Sequence, residues 1–256
     1  MNDPTIGVIG TGHFASYFIA ALRRGGYGGR ILLSPHSRSK AETIAREQDC
    51  EVAEDDLQLL ANADWVLIAV RPEQLERTLA KLAFRPDHLL LSAVAGVSVA
   101  EMRQHLGNST TVVRIMPSSY IEAMPDGLIP LFPDMSEVQR VLTRAGRVVA
   151  FKTERDFDLS TVGACLSGWI YHFMGSLAGW FVERGLTPDE ARCMVVGNIA
   201  GAVALAKACP GQSLSDISNR IATEGTYTKA GLDVLMADDA TAPWLKAMDE
   251  VCGKLS

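Results

Sequence analysis

Apolar and polar positions follow two different rhythms along this chain of 256 residues. Through roughly its first 150 residues, short runs rich in Val, Ile and Leu are separated by stretches whose apolar residues recur every three or four positions, as strands alternating with amphipathic helices require. Runs at residues 5–9, 30–34, 65–70, 89–94, 111–115, 128–132 and 148–152 predict strands of a parallel sheet built from βαβ units. Between the first two, Ala15, Phe18, Ile19 and Leu22 mark one helix face, and Gly25-Gly26 ends that helix. From Asp158 onward no run predicts a strand. Long Ala-, Gly-, Val- and Leu-rich segments there predict helices, broken at Gly185-Leu186-Thr187-Pro188 and at Cys209-Pro210-Gly211. Thr187 followed by Pro188, Asp189 and Glu190 predicts an N-cap, a first-turn proline and acids near the positive helix end. The change of rhythm puts a domain boundary between residues 152 and 158.

Two helical stretches, residues 159–182 and 193–206, carry no Asp, Glu, Lys or Arg. The first is long enough to span a bilayer. Its Ser160, Thr161, Ser167, His172 and Ser176 dilute its hydrophobicity, and the second is only a core helix in length, so both are expected to be buried helices of a subunit interface, with no membrane partner. A net charge of −6 argues against a general nucleic-acid binder, which needs a basic face. The cysteines Cys50, Cys165, Cys193, Cys209 and Cys252 form no CxxC pair and suggest reduced, mostly buried thiols in a cytoplasmic protein. The N-terminal Met1-Asn2-Asp3-Pro4 lacks the basic-then-apolar layout of a signal peptide, so export is not expected. Neither His105 nor His172 has neighbours that suggest a metal site.

Gly10-Thr11-Gly12-His13-Phe14-Ala15 has the form GxGxxA, directly after the first strand and before the first helix. In that context the first Gly makes a tight turn, the second lets a pyrophosphate approach the backbone, and the small third residue packs helix on strand, the arrangement of a Rossmann dinucleotide site. An acid usually follows the second strand when the cofactor is NAD. Residues 4–41 contain no acid, and Ser34, Ser37 and Arg38 offer hydroxyls and a cation to a 2′-phosphate, so NADPH is expected. A solvated turn with incidental basic residues is the competing explanation.

Five further segments, spread through most of the chain, resemble pyrroline-5-carboxylate reductase. Ala69-Val70-Arg71-Pro72 is similar to that family's Ala-Val-Lys-Pro beside the cofactor, and the segment from Leu91 to Val97, with Ala93 and Ala95, to its Ser-x-x-Ala-Gly loop. Arg114-Ile115-Met116-Pro117 resembles its Arg-x-Met-Pro-Asn, and Glu154, Asp158, Thr161, Ser167, Gly168 and Tyr171 track the start of its helical domain. Gly225 to Leu232 resembles its Gly-Gly-Thr-Thr-x-Ala-Gly-Leu. The resemblance implies an α/β fold with an N-terminal Rossmann domain over residues 1–153 and an all-helical dimerisation domain over residues 154–256. It implies NADPH-dependent reduction of a cyclic imine carboxylate, most simply 1-pyrroline-5-carboxylate to proline, in an interlocked dimer whose active sites lie between one subunit's Rossmann domain and the partner's helices. Arg220, or Asn219 next to it, takes the place of an Asn that reaches the cofactor from the partner domain.

Carried over residue by residue, Thr228 would donate to the imine nitrogen, and Gly225, Thr226 and Tyr227 would cradle the substrate carboxylate through backbone N–H groups. Ser118 stands where the family has Asn, and would face the substrate. Departures cluster at this loop: Ser-Pro-Gly-Gly-Thr-Thr becomes Thr223-Glu224-Gly225-Thr226-Tyr227-Thr228, and Ser-Gly-Pro-Ala-Tyr becomes Ser167-Gly168-Trp169-Ile170-Tyr171. Glu224 brings a negative charge toward a carboxylate cradle. Other assignments stay open. Thr228 could be a helix N-cap, Tyr227 the proton donor, Tyr171 and Trp169 core aromatics, and His13 an exposed first-turn residue. The substrate could be another cyclic imine or ketimine, or the chain an NADPH-binding regulator without turnover. A β-hydroxyacid dehydrogenase is disfavoured because residues 159–182 hold no Lys for its chemistry.

Overall fold

A computed structural model describes residues 3–106 and 110–255; Met1 and Asn2, part of the stretch weighed against export, lie outside the described residues. In chain order the elements are β1 (Ile6–Ile9), α1 (His13–Arg24), β2 (Ile31–Leu33), α2 (Arg38–Gln48), β3 (Glu51–Val52), α3 (Asp56–Asn62), β4 (Trp65–Ile68), α4 (Leu75–Leu79), β5 (Leu89–Ser92), α5 (Val99–Leu106), β6 (Thr111–Ile115), β7 (Leu128–Phe132), α6 (Ser136–Leu142) and β8 (Arg147–Ala150). Helices follow: α7 (Glu154–Val182), α8 (Pro188–Ala208), α9 (Leu214–Ile221), α10 (Tyr227–Ala237) and α11 (Ala242–Leu255). The fold is α/β, with a mostly parallel sheet and a helical C-terminal part.

The chain forms two compact units, one of Met1–Cys165 with Cys252–Ser256, the other of Leu166–Val251. In the first, the described strands form one sheet in the order β3-β2-β1-β4-β5-β6-β7-β8. Strand parity explains why it is covered on both faces. Ile6, Val8, Ile31, Leu33, Trp65, Leu67, Leu89, Leu91, Val113 and Ile115 point to one core with α1 and α6. Ile9, Leu32, Val66, Ile68, Leu90 and Val112 point to the other with α3, α4 and α5. Because alternate side chains leave a strand on opposite faces, the continuous apolar runs in the sequence are what a doubly covered sheet needs.

The sheet differs from the sequence expectation in two places. The two-residue β3 was not foreseen, and β7 runs antiparallel to β6, with registers Arg114↔Phe132 and Ile115↔Leu131. A parallel crossover needs a covering element, commonly a helix. Between β6 and β7 there is only a short 3₁₀ turn over Ser119–Glu122, so the chain turns back instead.

In the second unit, Thr187 caps α8 as expected, with its side chain accepting from the Glu190 N–H while Glu190 reaches back to the Thr187 N–H. The expectation of buried helices does not hold for the single chain. The buried residues of α7 are Phe157, Thr161 and Val162, and those of α8 are Ala191 and Val195, whereas Tyr171, a candidate core aromatic, is 58% exposed. Trp169 is half-buried. The two helices are longer and more apolar than one small unit can cover. By length and composition alone, α8 could cross a membrane. The cysteines are likewise less buried than expected: among the described residues none forms a disulfide, with Cys193 exposed and the others half-buried.

Candidate cofactor and substrate sites

The turn between β1 and α1 is shaped by two glycines with different duties. Gly10 has φ +102°, and a Cβ there would lie 2.5 Å from the Ala69 carbonyl oxygen at the end of β4. A side chain is excluded both by conformation and by space. Gly12 takes an extended conformation at the N-cap of α1, makes no side-chain cap, and a Cβ there would meet nothing within 4 Å. The first turn of α1 holds no acid, so its N–H groups stand open toward an anion. Ala15, fully buried, seats α1 on the sheet together with Phe18 and Leu22. Phe14 packs against the same core, and exposed His13 touches Tyr17 edge-on with centroids 5.4 Å apart.

A cavity of about 370 Å³ opens beside this turn, bounded by Gly10, Thr11 and Val70, by Ser34, His36 and Ser37 beyond β2, and by Arg77 and Lys81 along α4 and just past it. Arg77 and Lys81 were missed from the sequence. Their four-residue spacing after Pro72, parallel to that of Gln74 and Thr78, would have placed them on one helix face. Arg38 does not line this cavity: it is 78% exposed and bonded to Glu42 at 3.0 Å, an i,i+4 pair of its own helix. A second cavity, of about 450 Å³, joins Thr11, Gly12 and His13 to Ser39, Lys40 and Thr43. Arg71 is exposed, 3.9 Å from Glu73, ahead of a 3₁₀ turn that starts at Pro72. Ala93 and Ala95 are half-buried in the turn that follows β5, where the Ala93 N–H donates to the Ile68 carbonyl at 2.9 Å.

Behind Ser34 stands an acid that the sequence reading did not anticipate. The buried Ser34 hydroxyl donates to Asp56 Oδ1 at 2.7 Å, and His36 Nε2 lies 2.8 Å from Asp56 Oδ2. Asp56 is the first residue of α3, whose N-cap is Asp55, accepting from the Gln58 N–H at 2.7 Å. The stretch without acids is real along the chain, but the fold supplies one from the helix after β3.

Arg114 ties the sheet to the first turns of α7. Its guanidinium is 1% exposed, lies 2.7 Å from Glu154 and 2.8 Å from Asp158, and sits over the Phe157 ring. Glu154 also accepts from the Val99 N–H at 2.8 Å. Just beyond, the Tyr17 hydroxyl donates to the Pro117 carbonyl at 3.0 Å; burial pushes this phenol well above its ordinary pKa, so it stays a donor. Ser118 is buried, and its hydroxyl donates to the Ala164 carbonyl of α7 at 3.3 Å. The structure thus engages Ser118 within its own unit.

In the helical unit, the loop from Thr223 to Thr228 leads into α10, with Gly225 at φ +81°. Thr226, not Thr228, is the N-cap: its hydroxyl accepts from the Lys229 N–H at 3.2 Å and donates to the Thr223 carbonyl at 2.7 Å. Tyr227 is 98% exposed, and the exposed Thr228 hydroxyl makes no hydrogen bond among the described residues. Lys229 bonds Asp233, and this bond, with the charge of Glu224, raises the pKa of its ammonium. Asn219 and Arg220 are exposed near the end of α9. Among the described residues no group of three or more His, Cys, Asp or Glu could hold a metal ion.

Residues 5–96 match the family described as NADP oxidoreductase coenzyme F420-dependent, and residues 154–256 match pyrroline-5-carboxylate reductase dimerisation. Pyrroline-5-carboxylate reductase of Aquifex aeolicus is 27% identical over 209 residues, covering 79% of this chain and 78% of that protein. That of Pasteurella multocida is 25% identical over 250 residues, covering 92% and 90%. The crystal structure of 1-pyrroline-5-carboxylate reductase from Streptococcus pyogenes superposes with TM-score 0.89 at 25% identity, covering 98% of both chains. Along most of its length the chain is similar to pyrroline-5-carboxylate reductases, and residues 154–256 match that family's dimerisation domain. A Plasmodium falciparum pyrroline carboxylate reductase with NADP bound shares the fold, with TM-score 0.89 at 19% identity over 100% of this chain and 98% of that one.

Set against the pyrroline-5-carboxylate reductase pattern, the altered loop is internally consistent. Glu224, which replaces a Pro, acts electrostatically on Lys229, whose ammonium is bonded to Asp233. Thr226, which replaces a Gly, supplies the helix cap. That frees Thr228, at the position of the family's second Thr, from structural duty.

Proposed function

We propose that this chain is an NADPH-dependent reductase that converts 1-pyrroline-5-carboxylate to proline. The carrying observation is the pairing, in one chain, of an uncapped glycine turn shaped for a dinucleotide with a C-terminal region that matches the pyrroline-5-carboxylate reductase dimerisation family. The residues fit the cofactor: Gly12 leaves open the space a pyrophosphate needs, and Arg77 and Lys81 bring positive charge to the neighbouring cavity. When bound, the nicotinamide supplies the hydride for the imine carbon. Gly10, Thr11, Gly12, Val70 and Ala93 orient it. In the helical domain, which we take as residues 154–256, the backbone N–H groups of Gly225, Thr226 and Tyr227 hold the substrate carboxylate near the positive end of α10. Thr228 donates to the imine nitrogen. The direct test is NADPH oxidation followed optically with pyrroline-5-carboxylate and then with other cyclic imines. Absence of turnover with all of them, despite tight NADPH binding, would overturn the enzyme assignment.

A second substrate, another cyclic imine or ketimine, is favoured by one observation: Tyr227, where the family has Thr, stands 98% exposed at the mouth of the loop. A higher kcat/KM for a different imine in the same assay would select it.

Because Thr226 carries the cap, Thr228→Ala is expected to lower kcat by about 10²-fold while leaving thermal unfolding unchanged. An unaltered kcat would remove Thr228 from the mechanism.

The working unit proposed is an interlocked cytoplasmic dimer. The support is the apolar surface that α7 and α8 leave open, including Tyr171, Phe173, Trp180 and Val203, together with the match to a dimerisation family. Light scattering at micromolar concentration should give at least twice the mass of one chain. A monomer there would contradict the dimer and would turn attention back to α8 as a membrane segment.

A further inference from the structure

The cavity after β2 brings opposed chemistries together. Arg77 and Lys81 supply the positive charge that a 2′-phosphate needs. Ser34 and His36, which line the same cavity, are held by Asp56, whose side chain is 14% exposed. A hydroxyl has one proton to donate, and that of Ser34 is committed to Asp56 Oδ1 at 2.7 Å. What Ser34 then offers a ligand is lone pairs. His36 likewise turns Nε2 to Asp56 at 2.8 Å, so that nitrogen too is committed to the carboxylate. Lone pairs backed by a carboxylate suit a ribose 2′-hydroxyl, which donates, and oppose a 2′-phosphate, which only accepts.

We propose that Asp56 is the residue that sets the choice between NADPH and NADH in this chain, acting through Ser34 and His36 to favour the unphosphorylated ribose against the pull of Arg77 and Lys81. The inference rests on the dinucleotide site described above. An acid that performs this selection commonly sits at the end of the second strand. Here the strand ends in Ser34, and the acid arrives from the first turn of α3, whose cap is made separately by Asp55. Exchange of Asp56 therefore leaves the helix cap in place. The consequence is a site of dual use, in which NADH competes with NADPH despite the missing acid along residues 4–41.

The test is calorimetric titration of the full-length protein with NADP⁺ and with NAD⁺, for wild type, Asp56→Asn and Asp56→Ala. In wild type the two dissociation constants should lie within about tenfold of each other. Asp56→Asn keeps the shape, removes the charge and returns a donor, so the preference for NADP⁺ should rise at least tenfold, about 1.4 kcal/mol. Asp56→Ala, which frees the Ser34 proton, should move the ratio in the same direction. A loss of affinity equal for both dinucleotides would make Asp56 a purely structural support and would overturn the proposal, as would an unchanged ratio in both variants. Wild type that binds neither dinucleotide would overturn the site along with the proposal. Wild type that binds both, shows the expected ratio change and yet reduces no imine would uphold Asp56 while refuting the reductase assignment.

Discussion

Replacing Arg114 with Met is expected to lower the unfolding free energy by about 3 kcal/mol, the lower end of the range for breaking a buried ion pair. The guanidinium is fully enclosed, whereas the side chains of Glu154 and Asp158 keep about a quarter of their surface in solvent, 27% and 25%. Loss of the cation leaves two carboxylates facing each other at the foot of α7 with only partial hydration. The contact of Arg114 with the Phe157 ring is lost as well, a further fraction of a kcal/mol. For a chain of this size each kcal/mol corresponds to roughly 2–4 °C, so the melting temperature at fixed protein concentration should fall by roughly 6–12 °C. The triple variant Arg114→Met, Glu154→Gln, Asp158→Asn should recover much of the loss, because it removes the uncompensated charges together with the cation. A melting temperature of Arg114→Met within 2 °C of wild type would show that the cluster contributes nothing to stability.

The clamp also explains why so much of the first unit could be read from sequence while its joints could not. Apolar runs fixed the strands because a doubly covered sheet demands apolar residues on both faces of each strand, as Trp65, Val66, Leu67 and Ile68 show. Gly10, Thr187 and Gly25 were legible because each serves a local need: a positive φ, a helix start, a helix end. Missed features depend on chain segments that meet only in the fold. Asp56 reaches Ser34 across 22 positions, and Arg114 reaches Glu154 across 40. The antiparallel β7 had a signal of omission, since no amphipathic helix lies between β6 and β7 to carry a parallel crossover. Composition does not say whether a charge-free helix is covered by its own chain or by a partner subunit, nor which of two hydroxyls two positions apart points at the free N–H, so Thr228 was weighed as a cap where Thr226 makes it.

The other large effect separates the two glycines of the dinucleotide turn. Gly12→Ala should bind NADP⁺ about 10²-fold more weakly, a difference of roughly 2.8 kcal/mol, while its melting temperature stays close to wild type. The backbone at Gly12 has φ −89° and ψ −168°, open to any residue, and the added methyl would touch nothing within 4 Å. The poorer helix N-cap costs about 0.5–1 kcal/mol, offset by a gain of about 0.4–1 kcal/mol from the stiffer unfolded chain. The methyl occupies instead the space that lets an anion reach the opening N–H groups of α1. Gly10→Ala should fail differently. At φ +102° its Cβ would sit 2.5 Å from the Ala69 carbonyl oxygen and 3.1 Å from Val70 Cγ1, so the turn must leave the end of β4 or accept strain of about 1–3 kcal/mol. Binding and melting temperature should then fall together. Calorimetric titration with NADP⁺ and thermal unfolding, applied to both variants, distinguish the two duties. If Gly12→Ala bound NADP⁺ as wild type does, the pyrophosphate would not lie on the N-terminus of α1, and the cofactor site would have to be placed elsewhere.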